Sequence, residues 1–408
     1  MEFKSKILSN GLSIIGEING SAKSAAVGCF VKTGARDESL QINGVSHFLE
    51  HMIFKGTETR SAFEVSEAFD RIGAQFNAST SEENTVFYSA VLPEYLEQAT
   101  GLWVELMGPA LRDMDFNIEK NVIKEEIAMY EDQPAFYVMD RCRRLHFDNH
   151  PCGHSVLGTV QSIDGLTAEQ MRNYFCSRYV PNNMVFAFAG NFDWDKLCSN
   201  VAKECEKWEQ KPARRELSHF HGSRNKQTVT RQNLSRVHIC LMSPGVSAQD
   251  NRRFACSLLA GVIGDEVGSR FFWELVDKAL AETATMHFGA MDGTGAFYSY
   301  IRCGSDNAGK VLDIIQRILN EVTDKGINED ELTKAKNKTL SAMVLKNEIP
   351  MGRLVELGGD WIYLGQYKTI GEDIKAVEDV TVRDINELLK EFNPGEFTQF
   401  TLEPGQKI

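Results

Sequence analysis

The alternation of apolar and polar positions divides the first half of the chain into strands and helices. Residues 4–18, "KSKILSNGLSIIGEI", predict two strands around an Asn-Gly turn. Residues 25–35, "AAVGCFVKTGA", alternate like a third strand, and the apolar-rich residues 45–54 predict the helix that follows. The same periodicities predict paired strands over 75–80 and 84–92, and helices over 61–74, 92–107 and 117–134.

The order of these elements restarts after the midpoint. "RVHICLMSPG" (236–245) repeats the pattern of the strand "AAVGCFVKTG", and "RRFACSLLAGVIG" (252–264) stands where the helix 45–54 stands in the first half. This second helix has no histidine or glutamate. Chemistry that depends on such residues is therefore expected in the first half only.

The repeat predicts an α+β fold made of two homologous α/β-sandwich domains. Each would have a mixed, mainly antiparallel sheet with helices packed on one face. The polar and basic stretch "EQKPARRELSHFHGSRNKQ" (209–227) predicts a linker between them. The predicted division is a first domain over 1–208, the linker, and a second domain over 228–408.

Length and composition are typical of a globular protein with two to three domains. The chain has 408 residues, of which 42% are hydrophobic and 25% charged. No run of 18 or more apolar residues occurs, so membrane insertion is not expected. The N-terminus has no apolar stretch of signal-peptide length. We therefore expect the chain to stay in a bacterial cytoplasm or, as a mature form, in an organellar matrix.

Cysteine spacing and net charge narrow the function classes. The nine cysteines form no C-x-x-C pairs, which favours reduced thiols over a disulfide framework or a cysteine zinc site. The net charge of -13 argues against nucleic-acid binding, because phosphate contacts need basic patches. An acidic chain could favour basic peptide partners, although solubility alone also explains the charge.

The segment "GVSHFLEHMIFKGT" (44–57) places His47, Glu50 and His51 on one predicted helix. Residues four apart share a helix face, so both imidazoles can reach one point, and Glu50 lies on the adjoining edge. Two histidines at this spacing form half of a tetrahedral zinc site. Chance placement on a partly exposed helix is the alternative. The apolar neighbours argue against it, because burying these polar groups without partners would cost about 2 to 7 kcal/mol each.

The helix 117–134 offers a third ligand. Glu126 falls within its predicted apolar stripe, where no basic residue could pair with it, and a metal would compensate its charge. Glu119 lies two turns earlier on the same face and could steady a ligand imidazole. A solvated carboxylate in the first turns of the helix is the alternative for Glu119. The stripe consists of Val122, Ile123, Ile127 and Tyr130.

These motifs together resemble the pitrilysin family of zinc peptidases with the inverted H-x-x-E-H motif. The resemblance includes the 75-residue step from His51 to Glu126 and extends over essentially the whole chain. It is greatest to the branch of the mitochondrial processing peptidase β-subunit and its bacterial relatives. The resemblance implies half of a peptidase clamshell, since the relatives work as heterodimers, homodimers or single long chains, so a homodimer or a heterodimer is one expectation. It rests also on "GARDE", "GAQFNASTSEENTVFY", "VIKEEIAMYEDQP" and "HPCGHSVLGT".

In such proteins His47, His51 and Glu126 would bind Zn²⁺, and Glu119 would be a supporting carboxylate. Glu50 would be the general base that accepts a proton from a zinc-activated water. Glu50 as a fourth ligand of a structural zinc site is the alternative, which its i+3 position makes awkward. The resemblance also implies that an extended substrate binds along the strand 75–80, by strand addition. A purely structural hairpin is the alternative there. The substrate-binding residues so implied are Asn77, Ala78 and Thr80.

The sequence therefore predicts a zinc metalloendopeptidase that hydrolyses extended peptides or targeting-type presequences. A non-catalytic core or scaffold subunit of the same family is the alternative hypothesis. The presence of His47, Glu50, His51 and Glu126 favours the peptidase.

Overall fold

The computed structural model of the chain describes residues 1–215, 217, 220 and 222–405. None of the described helices is long and apolar enough to span a membrane. The strands are β1 (Glu2–Ile7), β2 (Ser13–Ile18), β3 (Ala25–Val31), β4 (Gln75–Thr80), β5 (Thr85–Val91), β6 (Met184–Gly190), β7 (Lys226–Arg231), β8 (Val237–Gly245), β9 (Ala281–Met291), β10 (Thr294–Cys303) and β11 (Thr398–Pro404). The helices are α1 (Val45–Ile53), α2 (Ala62–Arg71), α3 (Leu96–Leu106), α4 (Asp113–Glu131), α5 (Pro134–Phe147), α6 (Val160–Gly165), α7 (Ala168–Arg178), α8 (Trp194–Cys205), α9 (Arg253–Gly264), α10 (Ala308–Lys325), α11 (Glu329–Asn347), α12 (Pro350–Leu364), α13 (Ile370–Asp379) and α14 (Val382–Glu391).

The first sheet has the strand order β1-β2-β6-β3-β5-β4. The β2–β6 pair is parallel and the other pairs are antiparallel. Among the described residues, β4 is an edge strand of this sheet and pairs with β5 alone. The register places Asn77 opposite Tyr88 and Thr80 opposite Thr85. One long side of β4 is therefore free to pair with another extended chain.

The central strands of this sheet are covered on both faces. Every residue of β3 and of β6 is buried. One face packs on α12, where Leu354 and Leu357 join Ala26 and Phe30 in a single apolar cluster. The structure thus adds a helix on the second face, where the sequence predicts helices on one face only. A strand buried on both faces is apolar almost throughout.

The second sheet repeats this topology in the order β7-β11-β8-β10-β9. Its β7–β11 pair is parallel and its remaining pairs are antiparallel. The same pattern occurs in the first sheet, where β2–β6 is the parallel pair and β3, β5 and β4 follow in antiparallel order. In this arrangement β8 holds the position of β3, and α9 follows it as α1 follows β3. The predicted α+β class, with two domains of mixed sheet and helices, is confirmed.

The compact units of the chain are interleaved in sequence. The helix α5, from the first half, packs on β8 and β11, and α12, from the second half, packs on β3 and β6. The predicted division at 209–227 assigns α5 to the first domain and α12 to the second, so it does not describe this interleaving. Four positions of the predicted linker (216, 218, 219 and 221) lie outside the described residues. One unit comprises 1–127, 154–216 and 344–368, and the other comprises 128–153, 217–343 and 369–408.

Candidate metal centre

The helix α1 is held at its N-terminus by a buried carboxylate. Glu38 accepts hydrogen bonds from the backbone N–H groups of Gly44 and Ser46, each at 2.7 Å. These groups have no partner within the helix, and a carboxylate also complements the helix dipole. Gly44 adopts φ 95°, and a Cβ there would lie 2.6 Å from the carbonyl oxygen of Leu157. This start of α1 therefore requires glycine, and it fixes the rotation of the helix that carries the histidines.

One face of α1 is in the core, and α4 packs beside it. Phe48 is fully buried and stacks on Phe116 of α4, with ring centroids 4.7 Å apart. The polar residues lie at the margin of this apolar contact: His47 is 9% exposed, and Glu50 and His51 are half-buried. The aromatic stack thus sets the distance at which the polar groups of the two helices meet.

The inner face of α4 places both of its predicted carboxylates toward α1. Ile123 and Ile127 are buried, as the sequence predicts. Val122 is 46% exposed, so its place in the predicted stripe is wrong. Glu119 and Glu126 are seven residues apart, which is close to two helical turns, and both therefore contact histidines of α1.

Three side chains converge on one point between the two helices. The ligand atoms of His47, His51 and Glu126 all lie within 4.8 Å of one another. The separation is 3.8 Å between His47 Nε2 and Glu126 Oε1, and 3.4 Å between His51 Nε2 and Glu126 Oε2. Ligand atoms about 2.1 Å from a tetrahedral zinc ion lie about 3.4 Å from one another. The separations of both imidazoles from Glu126 are therefore close to those between ligands of a tetrahedral zinc ion.

The protonation and bonding of these groups also fit a cation. Burial, and then the neighbouring His51 ring, lower the pKa of His47 to about 3, so this imidazole is neutral near pH 7. Glu126 Oε2 is buried and accepts no hydrogen bond from the described residues. A buried carboxylate oxygen without a donor is unfavourable, and a divalent cation bound between neutral imidazoles would compensate it. Neutral imidazole and carboxylate are ligands of zinc.

Glu119 links His51 to a lysine. Its Oε1 lies 2.9 Å from His51 Nδ1, and its Oε2 lies 2.5 Å from Lys55 Nζ. A carboxylate can only accept, so Nδ1 carries the hydrogen and the Nε2 lone pair is directed at Glu126. Glu119 is only 4% exposed, which rules out a solvated carboxylate. Lys55 was not foreseen from the sequence, although it lies one turn after His51.

Glu50 lies beside the three donors but outside their cluster. The described residues that form the cluster are the two histidines and Glu126 alone. Thr80 Oγ1 donates a hydrogen bond of 2.5 Å to Glu50 Oε2. Burial raises the pKa of the Glu50 carboxyl above its usual range, although the bond from Thr80 opposes this shift. Glu50 is thus held by Thr80 and lies outside the donor cluster, which favours a base over a fourth ligand.

The three residues implied as substrate contacts lie on the edge strand β4 but differ in surroundings. Asn77 is exposed, and its Oδ1 accepts a hydrogen bond from the Ala78 N–H at 2.9 Å. The Ala78 side chain is buried. Thr80 is half-buried with its hydroxyl on Glu50. Of these three residues, Thr80 is the one whose side chain forms a hydrogen bond with the predicted base.

Glu119→Gln is expected to lower the affinity for zinc by about 10- to 100-fold, the usual cost of losing a carboxylate that orients a ligand histidine. The amide cannot form the ion pair with Lys55, and because it carries a donor as well as an acceptor it no longer requires the hydrogen of His51 to lie on Nδ1. Competition with a chelator of known affinity would measure the change. An unchanged zinc affinity would show that Glu119 does not orient His51.

Comparison with known proteins gives matches over nearly the whole chain. The family model for insulinase (peptidase family M16) matches residues 14–160, and that for the peptidase M16 inactive domain matches residues 165–339. The uncharacterized zinc protease YmxG of Bacillus subtilis is 31% identical over 404 residues, 97% of each chain. An uncharacterized zinc protease of Streptomyces coelicolor is 31% identical over 94% of this chain and 86% of its own.

Solved structures share the fold at lower identity. A protease from Helicobacter pylori has a TM-score of 0.91 at 21% identity, covering 99% of this chain and 100% of its own. A chain of Complex III2 from Candida albicans has a TM-score of 0.84 at 17% identity, covering 98% of this chain and 95% of its own. At such identities the likeness concerns the fold alone.

Proposed function

Because the chain belongs to the insulinase family (peptidase family M16) and its relatives are named zinc proteases, we propose that it is a zinc-dependent endopeptidase that cleaves extended peptides. This family is the one that the inverted zinc motif predicts. The observation that carries the proposal is the convergence of His47, His51 and Glu126, with Glu50 beside them and outside their cluster. Such a set provides three ligands and a separate base, which is the composition of a catalytic zinc site.

In the proposed mechanism the side chains divide the work. His47, His51 and Glu126 would hold the zinc ion, which would polarise the scissile carbonyl and lower the pKa of a bound water to about 7. Glu50 accepts the proton of the attacking water and passes it to the leaving amine nitrogen. Its Oε1 is available for this transfer, since Thr80 occupies Oε2. Glu119, which is paired with Lys55, keeps the proton of His51 on Nδ1, so that Nε2 can act as a ligand.

The substrate class follows from the edge strand. The free side of β4 offers main-chain hydrogen bonds to any extended peptide, independent of its sequence. Asn77 and Ala78 lie on this strand, so we propose that they flank the bound peptide. Targeting-type presequences, which are rich in arginine, would belong to this substrate class when they bind as an extended chain. A strand edge binds the main chain of a peptide and does not require a peptide terminus, so this site favours an endopeptidase.

Basic peptides are expected to be cleaved faster at low salt than at high salt. The net charge of -13 attracts cations over a distance that shrinks from about 30 Å at 0.01 M to about 8 Å at 0.15 M ionic strength. We expect kcat/KM for a basic peptide to fall several-fold over this range. A neutral peptide of equal length serves as the control and should change less than about two-fold. Equal salt responses of the two peptides would mean that the charge does not select substrates.

The alternative is a non-catalytic core or scaffold subunit. The fold likeness to a chain of Complex III2 from Candida albicans is the observation on its side. Against it stand the complete donor cluster and the adjacent Glu50, which a scaffold does not need. The homodimer or heterodimer predicted from the sequence stays a prediction. We propose a reducing, cytoplasmic location because all nine cysteines, each among the described residues, are thiols outside any disulfide, and eight of them are buried.

Profiling a peptide library with mass-spectrometric readout tests the proposed function. The protein loaded with one zinc ion per chain is expected to cut internal bonds of extended peptides. The same protein after chelation is the control and should cut none. If the zinc-loaded protein leaves the whole library intact, the scaffold reading is favoured instead.

A further inference from the structure

We propose that Thr80 is a positioning residue for the general base Glu50 and not a substrate contact. This inference rests on the proposed function, since it assigns a partner to the base of that reaction. It changes the role implied by the sequence, which groups Thr80 with Asn77 and Ala78 along the substrate. The carrying observation is the 2.5 Å hydrogen bond from Thr80 Oγ1 to Glu50 Oε2.

The alternation of side chains along β4 separates its two tasks. Successive residues of a strand point to opposite faces. Asn77 and Ser79 are exposed, whereas Ala78 is buried and Thr80 is half-buried toward α1. The strand can therefore present its main-chain edge to a peptide while its last side chain holds the base.

Thr80 is the last residue of β4, and the hairpin formed by β4 and β5 holds it in place. It pairs with Thr85, whose buried hydroxyl donates to the carbonyl oxygen of Thr33 at 3.0 Å. The turn after it is closed by Ser81, which bonds Asn84 through both its N–H and its hydroxyl. The Ala35 and Arg36 N–H groups donate to the carbonyls of residues 81 and 82. The hydroxyl of Thr80 thus has a fixed position from which to hold a neighbour.

Glu50 has a side chain with three rotatable bonds, and among the described residues Thr80 is its hydrogen-bond partner. A base must be held in one orientation to transfer a proton efficiently, because misplacement by about 1 Å can cost about 100-fold in rate. The bond from Thr80 engages Oε2 and leaves Oε1 as the acceptor. The same strand therefore sets the register of the peptide and the orientation of the base.

Thr80→Val tests this role, because it removes the hydroxyl and keeps the shape of the side chain. We expect kcat to fall about 10- to 100-fold while KM stays within about two-fold. Thr80→Ser keeps a donor and should restore kcat to within about three-fold of the wild type. Thr283→Val is the matched control, since Thr283 is also half-buried in an edge strand, β9. It should leave kcat and KM unchanged.

Further measurements separate positioning from other roles. The zinc content and the melting temperature of Thr80→Val should equal those of the wild type. If Thr80→Val folds poorly, Thr80→Ala takes its place and should show the same loss of kcat. In the Glu50→Gln background, adding Thr80→Val should reduce cleavage no further and should leave the Kd of an uncleaved peptide within about two-fold.

Three results would overturn the inference. A raised KM or Kd with unchanged kcat would make Thr80 a substrate contact. Wild-type kcat in Thr80→Val would show that Glu50 needs no partner, and loss of zinc would make the role structural. Failure of the proposed function is distinguishable from these, because it would appear as a zinc-loaded wild-type protein that cuts no peptide.

Discussion

Glu50→Gln is expected to bind zinc as the wild type does and to cleave peptides about 10²- to 10⁴-fold more slowly. The amide has nearly the same shape as the carboxylate and can still accept the hydrogen bond from Thr80. It cannot take a proton from water, so the step that generates the nucleophile loses its base. Because Glu50 lies outside the donor cluster, the metal site should be unaffected.

The measurement is kcat/KM on one peptide from the library, together with the zinc content of each sample. Glu58→Gln is a matched control: it makes the same chemical change at an exposed position shortly after α1 and should keep full activity. Cleavage by Glu50→Gln at the wild-type rate would show that another group is the base. Loss of zinc from Glu50→Gln would instead identify Glu50 as a ligand.

Glu126→Gln is expected to lower zinc affinity by about 100-fold or more and to lower cleavage in proportion at limiting zinc. A four-ligand zinc site is worth about 10 to 16 kcal/mol, so one ligand accounts for about 2.5 to 4 kcal/mol. Of the three donors, Glu126 is the only anion, and its loss leaves two neutral imidazoles facing the cation. The effect should therefore lie at the upper end of this range.

The adjacent Glu125→Gln provides the control for charge. Glu125 is exposed on the outer side of α4, so the variant loses the same charge without losing a ligand. A competition assay with a zinc chelator should give wild-type affinity for Glu125→Gln and a large loss for Glu126→Gln. Equal affinities in the two variants would remove Glu126 from the site.

The donor residues could be predicted because helical periodicity is a short-range property. The spacing of His47 and His51 fixes their common face without reference to the rest of the fold. Glu119 and Glu126 share a face of α4 for the same reason. The relation between the two helices is not local, and the choice of Glu126 relied on the lack of a basic partner in its stripe. That choice agrees with the observed cluster even though Val122 proved to be exposed.

Contacts between distant segments could not be predicted from the pattern. In the sequence nothing distinguishes Glu38 from other charged residues. In the structure it caps α1 by accepting hydrogen bonds from the N–H groups of Gly44 and Ser46. The packing of α12 on the first sheet joins residues more than 300 positions apart, and no periodicity encodes such a pairing. The hydroxyl of Thr80 reaches Glu50 only because the hairpin and α1 meet. Each depends on tertiary packing and therefore appears only in the folded chain.

Titration of the metal-free protein with zinc, with peptide cleavage as the readout, tests the central claim most directly. If His47, His51 and Glu126 hold a catalytic zinc ion, the cleavage rate should rise linearly with added zinc and reach its plateau at one ion per chain. Cleavage that is already complete without zinc, or absent when one ion per chain is bound, would contradict a zinc peptidase at this site.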